Sequence, residues 1–316
     1  MDHRFESVAV VGAGAVGGFF GAMLARARHR VTFIGRAPHV KAIEQHGLRL
    51  DMAGRIESIR ATASVDLQAV RGADLVLFSV KSTDTASVAQ AIAPHLENDA
   101  IVLSLQNGVE NAEILARHLR QTVVPAVVYV ATATPEPGLV KHHGRGDLVI
   151  GALDATAGQE KKVVLGLEAL KDAFDAAGVP VTISPNVVAE LWSKLMVNCA
   201  YNAVSGLAQA PYGAFTTVSS VRDLQHAVVA EVCAVASAAG VDLPLTESLV
   251  AMERIAGAMP AQLSSTAQDM ARRKPSEIDH LNGFIVRRGR EVGVPTPANL
   301  ALYALVKLVE ARHEQR

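Results

Sequence analysis

Residues 8–17 of this 316-residue chain have the sequence Val8-Ala9-Val10-Val11-Gly12-Ala13-Gly14-Ala15-Val16-Gly17. The first four residues predict a buried strand, and the G-x-G-x-x-G spacing predicts a tight turn that opens a helix. In such a loop Gly12 permits the turn, Gly14 lets the backbone approach a pyrophosphate, and Gly17 lets helix and strand pack closely. The helix N–H groups would bind the phosphates. We therefore predict a dinucleotide-binding loop; the alternative is a group of helix-start glycines without a ligand. The predicted loop residues are Gly12, Ala13, Gly14, Ala15, Val16 and Gly17.

The alternation of strand and helix continues to about residue 150. Apolar runs predict further strands at 31–34, 75–80, 101–105 and 123–130, with helices at 86–93 and 110–118. This rhythm predicts a Rossmann-type, doubly wound α/β domain, in which helices cover both faces of a parallel sheet. Two segments, 47–59 and 138–150, are predicted to be antiparallel hairpins instead, the second because Pro137-Gly138 opens it.

The second half of the chain has only helical patterns. A helix at 159–176 and a strand at 181–183 complete the first domain, and Ser184-Pro185-Asn186 follows as a boundary. Helix ends are indicated at Gly240, Pro260, Pro275 and Pro295. We expect a dinucleotide-binding domain at 1–184 and an all-helical domain at 185–316, with a cleft between them.

The end of the second predicted strand distinguishes the two nicotinamide cofactors. A carboxylate there would bind a ribose 2′-hydroxyl, but this strand ends with Ile34-Gly35-Arg36, and no acidic residue occurs before Glu44. A guanidinium binds a phosphate through two parallel hydrogen bonds, so Arg36 favours NADPH/NADP⁺ over NADH, unless it is only a solvated arginine. Lys81 and Asn107 follow later strands, at the edge of the sheet where ligands bind. The alternatives are that Lys81 is only a surface charge and that Asn107 only forms a turn with Gly108.

Composition and charge exclude several classes of protein. Half of the residues are hydrophobic and 19% are charged, which is typical of a globular chain. With 30 basic and 31 acidic side chains, the net charge of −1 offers no general attraction to nucleic acid or an anionic membrane. No apolar run reaches about 18 residues, and the N-terminus lacks the features of a secretion signal. Cys199 and Cys233 lie in apolar helical surroundings, so we expect a cytoplasmic protein without disulfide or metal.

Polar side chains interrupt an apolar helix predicted around residues 192–202. At the helical period, Lys194, Asn198, Tyr201, Asn202 and Ser205 lie within an arc of about 100°. Because the rest of the circumference is apolar, this helix should be buried. Buried ammonium and carboxamide groups cost roughly several kcal/mol unless they are hydrogen-bonded. The stripe therefore faces either an internal polar network or a ligand cleft, and the residues alone leave this choice open.

Several motifs together carry a resemblance to a known family. They are the glycine loop, Val80-Lys81, Gln106-Asn107-Gly108, the polar stripe, Ser264-Ser265-Thr266-Ala267-Gln268-Asp269 and Glu277-Ile278-Asp279-His280-Leu281-Asn282-Gly283. In this order, over nearly the whole chain, they resemble the ketopantoate reductase (2-dehydropantoate 2-reductase) family. The resemblance implies that NADPH reduces an α-keto acid to a D-hydroxy acid in pantothenate biosynthesis.

The resemblance also implies roles for individual residues. Lys194 would be the general acid, Glu277 would contact the substrate hydroxyl or the cofactor, Asn198 and Asn202 would hold the substrate, Ser265 would bind its carboxylate, and Asn107 would lie between cofactor and substrate. A protonated lysine suits this reduction because it stabilises the negative charge that develops on the keto oxygen and supplies the proton. A carboxylate such as Glu277 would help to keep that lysine charged.

Two of these residues also have a purely structural interpretation. Ser276 with Asp279, and Ser265 with Gln268, have the capping-box spacing of helix N-termini. The sequence departs from the family pattern at Tyr212, which stands where many family members have a substrate-binding asparagine.

Three hypotheses of function follow. The first is NADPH-dependent reduction of 2-dehydropantoate, a small 2-keto acid, to D-pantoate. The second, motivated by Tyr212, is a D-2-hydroxyacid dehydrogenase with another side-chain preference. The third is a non-catalytic NADPH-binding protein, which would have no use for the polar stripe. Alanine- and valine-rich helices such as 227–239 could pack within the domain or across a homodimer.

Overall fold

The computed structural model describes residues 5–153 and 160–314. The chain divides into two compact units, Met1–Val187 and Val188–Arg316. Within the described residues, no helix is both long and apolar enough to span a bilayer.

Unit 1 is built on a ten-stranded mixed sheet. Its strands are β1 (Ser7–Val11), β2 (Arg30–Ile34), β3 (Leu48–Met52), β4 (Arg55–Ile59), β5 (Thr62–Ser64), β6 (Leu75–Phe78), β7 (Ile101–Ser104), β8 (Thr122–Ala133), β9 (Leu139–Ile150) and β10 (Val181–Ile183). Its described helices are α1 (Ala15–Arg26), α2 (Ala37–His46), α3 (Thr85–Ile92), α4 (Asn111–His118) and α5 (Glu160–Ala176). The predicted helix at 159–176 therefore matches α5, except for residue 159, which lies outside the described residues.

The parallel part of the sheet has the strand order of a Rossmann domain. The spatial order is β5-β2-β1-β6-β7-β8, and every neighbouring pair within it is parallel. The direction of winding reverses between β1 and β6, and ligands of such sheets bind outside the carboxyl ends of the strands at this point. The doubly wound fold is confirmed, and it brings the ends of β1, β2, β6 and β7 to one edge of the sheet.

Both faces of the parallel sheet are covered by helices, as the continuous burial of residues 8–11 in β1 requires. Val10 belongs to a core cluster with Phe20 of α1, whereas Val11 belongs to a second cluster with Ile92 of α3. All four residues of β1 from Val8 to Val11 are at most 1% exposed. The strand β1 is thus apolar on both sides because it packs into two cores, one on each face of the sheet.

One of the two predicted hairpins is confirmed and the other is wrong. Residues 47–59 form the antiparallel pair β3–β4. Residues 138–150 contain the single strand β9, which pairs antiparallel with β8 and parallel with β3 and β10. Gly144 and Gly146 flank Arg145 (φ 54°) beside register shifts in the β8–β9 pairing. Such irregularities bend a strand without reversing it.

Unit 2 contains helices and no strand among its described residues, which confirms the predicted all-helical half. The helices are α6 (Val187–Ala208), α7 (Tyr212–Phe215), α8 (Ser219–Ala238), α9 (Leu245–Ala258), α10 (Ser265–Ala271), α11 (Asn282–Val292) and α12 (Pro297–Glu314), with a 3₁₀ turn at 278–280. The first of them, α6, starts one residue before the division between the units. The four predicted helix ends all fall between helical elements.

The helix α6 packs against α11 within unit 2. Trp192 packs edge-on against Phe284 of α11, with ring centroids 5.5 Å apart. The Cys199 carbonyl accepts a hydrogen bond from Asn282 Nδ2 at 3.1 Å. Two positions along α6, Trp192 and Cys199, are thereby fixed against α11.

Candidate active site

The glycine loop has the backbone geometry that the sequence predicts. Gly12 has φ +104°, and a β-carbon there would lie 2.7 Å from the carbonyl carbon of Ser79. The amides of Gly12 and Ala13 both donate to the Ile34 carbonyl, at 2.9 and 3.2 Å. Ser79, which follows β6, donates its Oγ to the Gly12 carbonyl at 2.8 Å. Neighbouring strands therefore hold the turn on both sides, and no side chain fits at its first glycine.

The other two glycines differ in what surrounds them. A β-carbon on Gly17 would collide with the Gly12 carbonyl oxygen and with Ser79 Oγ, because α1 lies directly on the strand. A β-carbon on Gly14 would meet nothing within 4 Å. Gly14 is the N-cap of α1, no side chain caps this helix, and its first turn has no acidic residue. The open space and uncapped helix N-terminus fit a pyrophosphate.

Arg36 lies at the end of the second strand, as predicted. It is the N-cap of α2 and is exposed, and the preceding Gly35 approaches Ala13 so closely that a β-carbon there would lie 3.0 Å from Ala13 Cβ. The backbone that carries the Arg36 side chain therefore lies beside the glycine loop. Its position suits a phosphate of the same ligand, and its role in binding stays a prediction.

Lys81 and Asn107 lie after the neighbouring strands β6 and β7. Lys81 is exposed and precedes a short 3₁₀ turn at 82–84, whereas Asn107 is half-buried and lies in a bend that continues through Gly108 (φ +89°). Because β6 and β7 are parallel neighbours, these two positions share the ligand edge with the glycine loop.

A buried network that the sequence did not reveal supports this edge. Gln106 Nε2 donates to the Val80 carbonyl at 3.0 Å and to Thr85 Oγ1 at 2.7 Å. Thr85 Oγ1 donates to Asn111 Oδ1 at 2.8 Å, and Asn111 Nδ2 donates to the Asn107 carbonyl at 2.6 Å. The network ties together the backbone beside both predicted ligand residues. These polar residues have no common spacing, so only their burial in the fold identifies them as a group.

In unit 2, part of the polar stripe on α6 is structural. Tyr201 donates its hydroxyl to the Met252 carbonyl at 2.8 Å, and Ser205 donates to the Ala210 carbonyl at 2.9 Å. For these two residues, the internal network is the correct interpretation.

The remainder of the stripe includes two carboxamides whose NH₂ groups form no hydrogen bond to the described part of the protein. Lys194 and Asn198 are half-buried, and Asn202 is only 4% exposed. Over residues 5–153 and 160–314, neither the Asn198 side chain nor Asn202 Nδ2 has a hydrogen-bond partner. In the described ranges neither group is among the sealed polar atoms that lack a partner, so both NH₂ groups, one helical turn apart, are open to solvent and can donate to a ligand.

Tyr212 contacts the stripe directly. Its hydroxyl donates to Asn202 Oδ1 at 3.3 Å, and its ring lies 4.7 Å from that of Tyr201 and 6.1 Å from that of Phe215. Burial raises the pKa of Tyr212, so its hydroxyl stays protonated and available as a donor. The Asn202 amide is therefore oriented with its NH₂ group away from Tyr212.

The predicted capping box at Ser265 is wrong by one residue. The N-cap of α10 is Ser264, whose Oγ accepts from the Ala267 amide at 3.0 Å and donates to the Asn202 carbonyl at 3.1 Å. Ser264 is buried, whereas Ser265 is exposed. The cap thus uses the first serine of the pair and joins α10 to α6, which leaves the Ser265 hydroxyl at the surface.

The predicted capping box at Ser276 and Asp279 is also wrong. Ser276 Oγ donates to Glu310 Oε1 at 2.6 Å, and Asp279 Oδ1 accepts from the Tyr303 hydroxyl at 2.6 Å. Both side chains therefore turn towards α12 instead of towards each other. Glu277 lies between them, half-buried, as the N-cap of the 3₁₀ turn.

The predicted site residues thus form groups within each unit. In unit 1, the glycine loop, Arg36, Lys81 and Asn107 share one edge of the sheet. In unit 2, Lys194, Asn198 and Asn202 share a face of α6. Ser264, which precedes Ser265, donates a hydrogen bond to the Asn202 carbonyl and so holds the start of α10 beside α6. Within the described ranges, no cluster of three or more His, Cys, Asp or Glu side chains could hold a metal ion.

The fold and the glycine loop define a dinucleotide-binding protein of the Rossmann class. The sequence model described as "Ketopantoate reductase PanE/ApbA" matches residues 8–155, and "Ketopantoate reductase PanE/ApbA C terminal" matches residues 186–310. The chain belongs to the ketopantoate reductase family.

Individual relatives agree with this assignment. A 2-dehydropantoate 2-reductase of Halobacterium salinarum is 33% identical over 307 residues, which cover 96% of this chain and 98% of the relative. The crystal structure of a PanE/ApbA family ketopantoate reductase from Ralstonia eutropha JMP134 is 52% identical with a TM-score of 0.89, covering 98% and 99% of the two chains. A ternary structure of D-mandelate dehydrogenase with NADH and anilino(oxo)acetate has a TM-score of 0.90 over 98% and 99% of the chains, but at 24% identity it shows the fold alone.

Proposed function

We propose that this protein is an NADPH-dependent 2-dehydropantoate 2-reductase, which reduces ketopantoate to D-pantoate in pantothenate biosynthesis. The observation that carries the proposal is the face of α6, where Lys194 accompanies Asn198 and Asn202, two carboxamides whose NH₂ groups are open to a ligand. A protein that only bound a dinucleotide would have no use for a lysine and two carboxamides grouped on this face. The names of the curated relatives support the same reaction.

The proposal assigns the cofactor to residues 1–184 and the substrate to residues 185–316. NADPH, when bound, supplies the hydride that reduces the keto carbon. The N–H groups at the start of α1 would hold its pyrophosphate, and Arg36 its 2′-phosphate. Lys81 and Asn107 would make further contacts at the same sheet edge.

The helical residues would act on the substrate oxygen atoms. Lys194 would donate a proton to the keto oxygen as negative charge develops there, a contribution of about 10²- to 10⁴-fold to the rate. Asn198 and Asn202 would donate hydrogen bonds from their amide groups, and Ser265 would bind the carboxylate. Glu277 would accept a hydrogen bond from the hydroxyl that forms and keep Lys194 protonated between turnovers.

A second candidate keeps this chemistry and changes the substrate. Tyr212, Tyr201 and Phe215 form an aromatic cluster beside Asn202, with Tyr212 hydrogen-bonded to it. An aromatic residue beside Asn202, at a position where many family members have an asparagine, favours a 2-keto acid with a larger apolar side chain than ketopantoate, which would make the protein a D-2-hydroxyacid dehydrogenase of different preference.

The test is the loss of NADPH absorbance with ketopantoate as the only acceptor, followed by a panel of aliphatic and aromatic 2-keto acids and by NADH. Lys194→Ala should lower kcat by about 10²- to 10⁴-fold while the Kd for NADPH, measured by fluorescence, stays unchanged. Lys162→Ala is the matched control, because Lys162 is an exposed lysine that pairs with Asp99 at 2.8 Å. Turnover of no 2-keto acid by the wild type, or full turnover by Lys194→Ala, would refute the proposal. A preference for aromatic acceptors would establish the second candidate.

The proposal includes a cytoplasmic location and a homodimer. Cys199 and Cys233 are buried free cysteines, which suits a reducing compartment. Leu300, Leu305 and Leu308 of α12 are 41–59% exposed and offer an apolar face for a second copy. Sedimentation at micromolar concentration distinguishes a dimer from a monomer.

A further inference from the structure

We infer that Glu310 of α12 is a positioning residue for Glu277, acting through the backbone on either side of it. This inference rests on the proposed function, in which the Glu277 carboxylate contacts the substrate. Glu277 precedes a single 3₁₀ turn, so no long helix fixes its backbone. The backbone on either side of it is held at Ser276, one residue before it, and at Asp279, two residues after it.

The residue before Glu277 is held by one carboxylate oxygen. The Ser276 amide and the Ser276 hydroxyl both donate to Glu310 Oε1, at 2.8 and 2.6 Å. The same hydroxyl oxygen accepts from the Ile278 amide at 3.3 Å, across Glu277. The Ser276 residue is only 5% exposed and the Glu310 side chain only 11%, so water competes little for these bonds.

The other side of Glu277 is held by the same helix. Asp279 accepts from the Tyr303 hydroxyl at 2.6 Å and from Lys307 Nζ at 2.9 Å. Lys307 Nζ also lies 3.4 Å from Glu310 Oε2, which closes the network. Tyr303, Lys307 and Glu310 are spaced four and three residues apart, so they share one face of α12.

The network keeps its charges at neutral pH. Burial alone would raise the pKa of Asp279, but the hydrogen bonds from Tyr303 and Lys307 and the charge of Lys307 outweigh it and lower that pKa. The hydrogen bond to Asp279 is the main reason why the pKa of Lys307 is raised. One face of α12 therefore holds the segment 276–279 at two points, with Glu277 between them.

The test is a double-mutant cycle in kcat/KM, because a residue that acts only through Glu277 has nothing to position once Glu277 is replaced. In the wild-type background, Glu310→Ala should lower kcat/KM for the 2-keto acid by about tenfold to a hundredfold, with the Kd for NADPH unchanged. In the Glu277→Gln background, the same substitution should lower it by less than about twofold. Glu310→Gln, which keeps one acceptor oxygen for Ser276, should recover most of the loss.

Equal losses in both backgrounds, or no loss in either, would overturn the inference. Glu291→Ala is the matched control, since Glu291 forms an ordinary surface pair with Arg288 on α11 at 2.9 Å. If Glu310→Ala does not fold, Tyr303→Phe carries the same cycle from the Asp279 side. Failure of the proposed function is a separate outcome, because it appears as a wild-type protein that reduces no 2-keto acid.

Discussion

Two of the glycines after β1, Gly14 and Gly17, should respond differently to an added methyl group, and the difference separates folding from cofactor binding. In Gly14→Ala the new β-carbon meets no atom within 4 Å, and the φ of −84° is open to alanine. The substitution raises the free energy of unfolding by about 0.4–1 kcal/mol, because alanine restricts the unfolded chain more than glycine does. It also lowers the free energy of unfolding by a similar amount, because alanine is a poorer N-cap than glycine. The free energy of unfolding should therefore stay within about 1 kcal/mol of the wild type.

The same substitution should weaken cofactor binding. The methyl group of Gly14→Ala occupies the space through which the pyrophosphate approaches the backbone. We expect the Kd for NADPH to rise about tenfold to a hundredfold, equivalent to about 1.4–2.7 kcal/mol of binding free energy. The variant would thus be a stable protein with a defective cofactor site.

Gly17→Ala provides the contrast. Its β-carbon would collide with the Gly12 carbonyl oxygen and lie 2.9 Å from Val10 Cγ1, so the helix must move away from the strand. Overpacking of this kind costs about 1–3 kcal/mol. The melting temperature of a unit of this size should fall by about 2–4 °C per kcal/mol.

Two measurements on each variant test this reasoning. Urea unfolding followed by circular dichroism gives stability, and titration of nicotinamide fluorescence gives the Kd for NADPH. Two results would contradict these expectations: Gly14→Ala binds NADPH as tightly as the wild type, or Gly17→Ala is as stable as the wild type. Either result would mean that the loop does not approach the ligand, or the strand, as the geometry requires.

Three further predictions concern unit 2. Burial raises the pKa of Cys199 and of Cys233, so a thiol reagent at pH 8 should label neither cysteine in the native protein and both after denaturation. Mass spectrometry counts the labels, and rapid labelling of the native protein would contradict the burial of these thiols. Because the pKa of Asp279 is lowered on folding, its stabilisation is present above the unfolded pKa of about 4 and is lost as the pH falls through the folded value. The stability difference between wild type and Asp279→Asn, measured in urea, should therefore be larger at pH 7 than at pH 3, and a constant difference would count against it. Tyr212→Phe removes the hydrogen bond that orients Asn202, so KM for the keto acid should rise by about twofold to tenfold without a change in the Kd for NADPH, whereas an unchanged KM would show that the bond has no role.

The fold could be predicted from the sequence because its signals are local. The glycine spacing around Gly12 and the periodicity of apolar runs specified the Rossmann half and the helical half. The path of β9 could not be predicted in this way, because Pro137-Gly138 suits a turn before a single long strand as well as a turn that opens a hairpin. Only the pairing with β8 distinguishes the two.

The candidate site was predicted less completely, for a related reason. Positions at strand ends, such as Arg36 and Lys81, follow from the order of elements. The partners of Ser276 and Asp279 do not, because they lie on α12, 24 to 34 residues further along the chain. Local spacing suggested helix caps at these residues, and tertiary hydrogen bonds to α12 replaced them.

The strand β9 has a consequence for how the chain is assembled during synthesis. It pairs with β3, some ninety residues earlier, as well as with β8 and β10. Until residues 139–142 leave the ribosome, the β3–β4 hairpin has an open edge that can pair with another chain. Contacts of this sequence separation form slowly. The nascent chain is therefore exposed to aggregation over a long interval, and a truncation before β9 should leave an insoluble fragment.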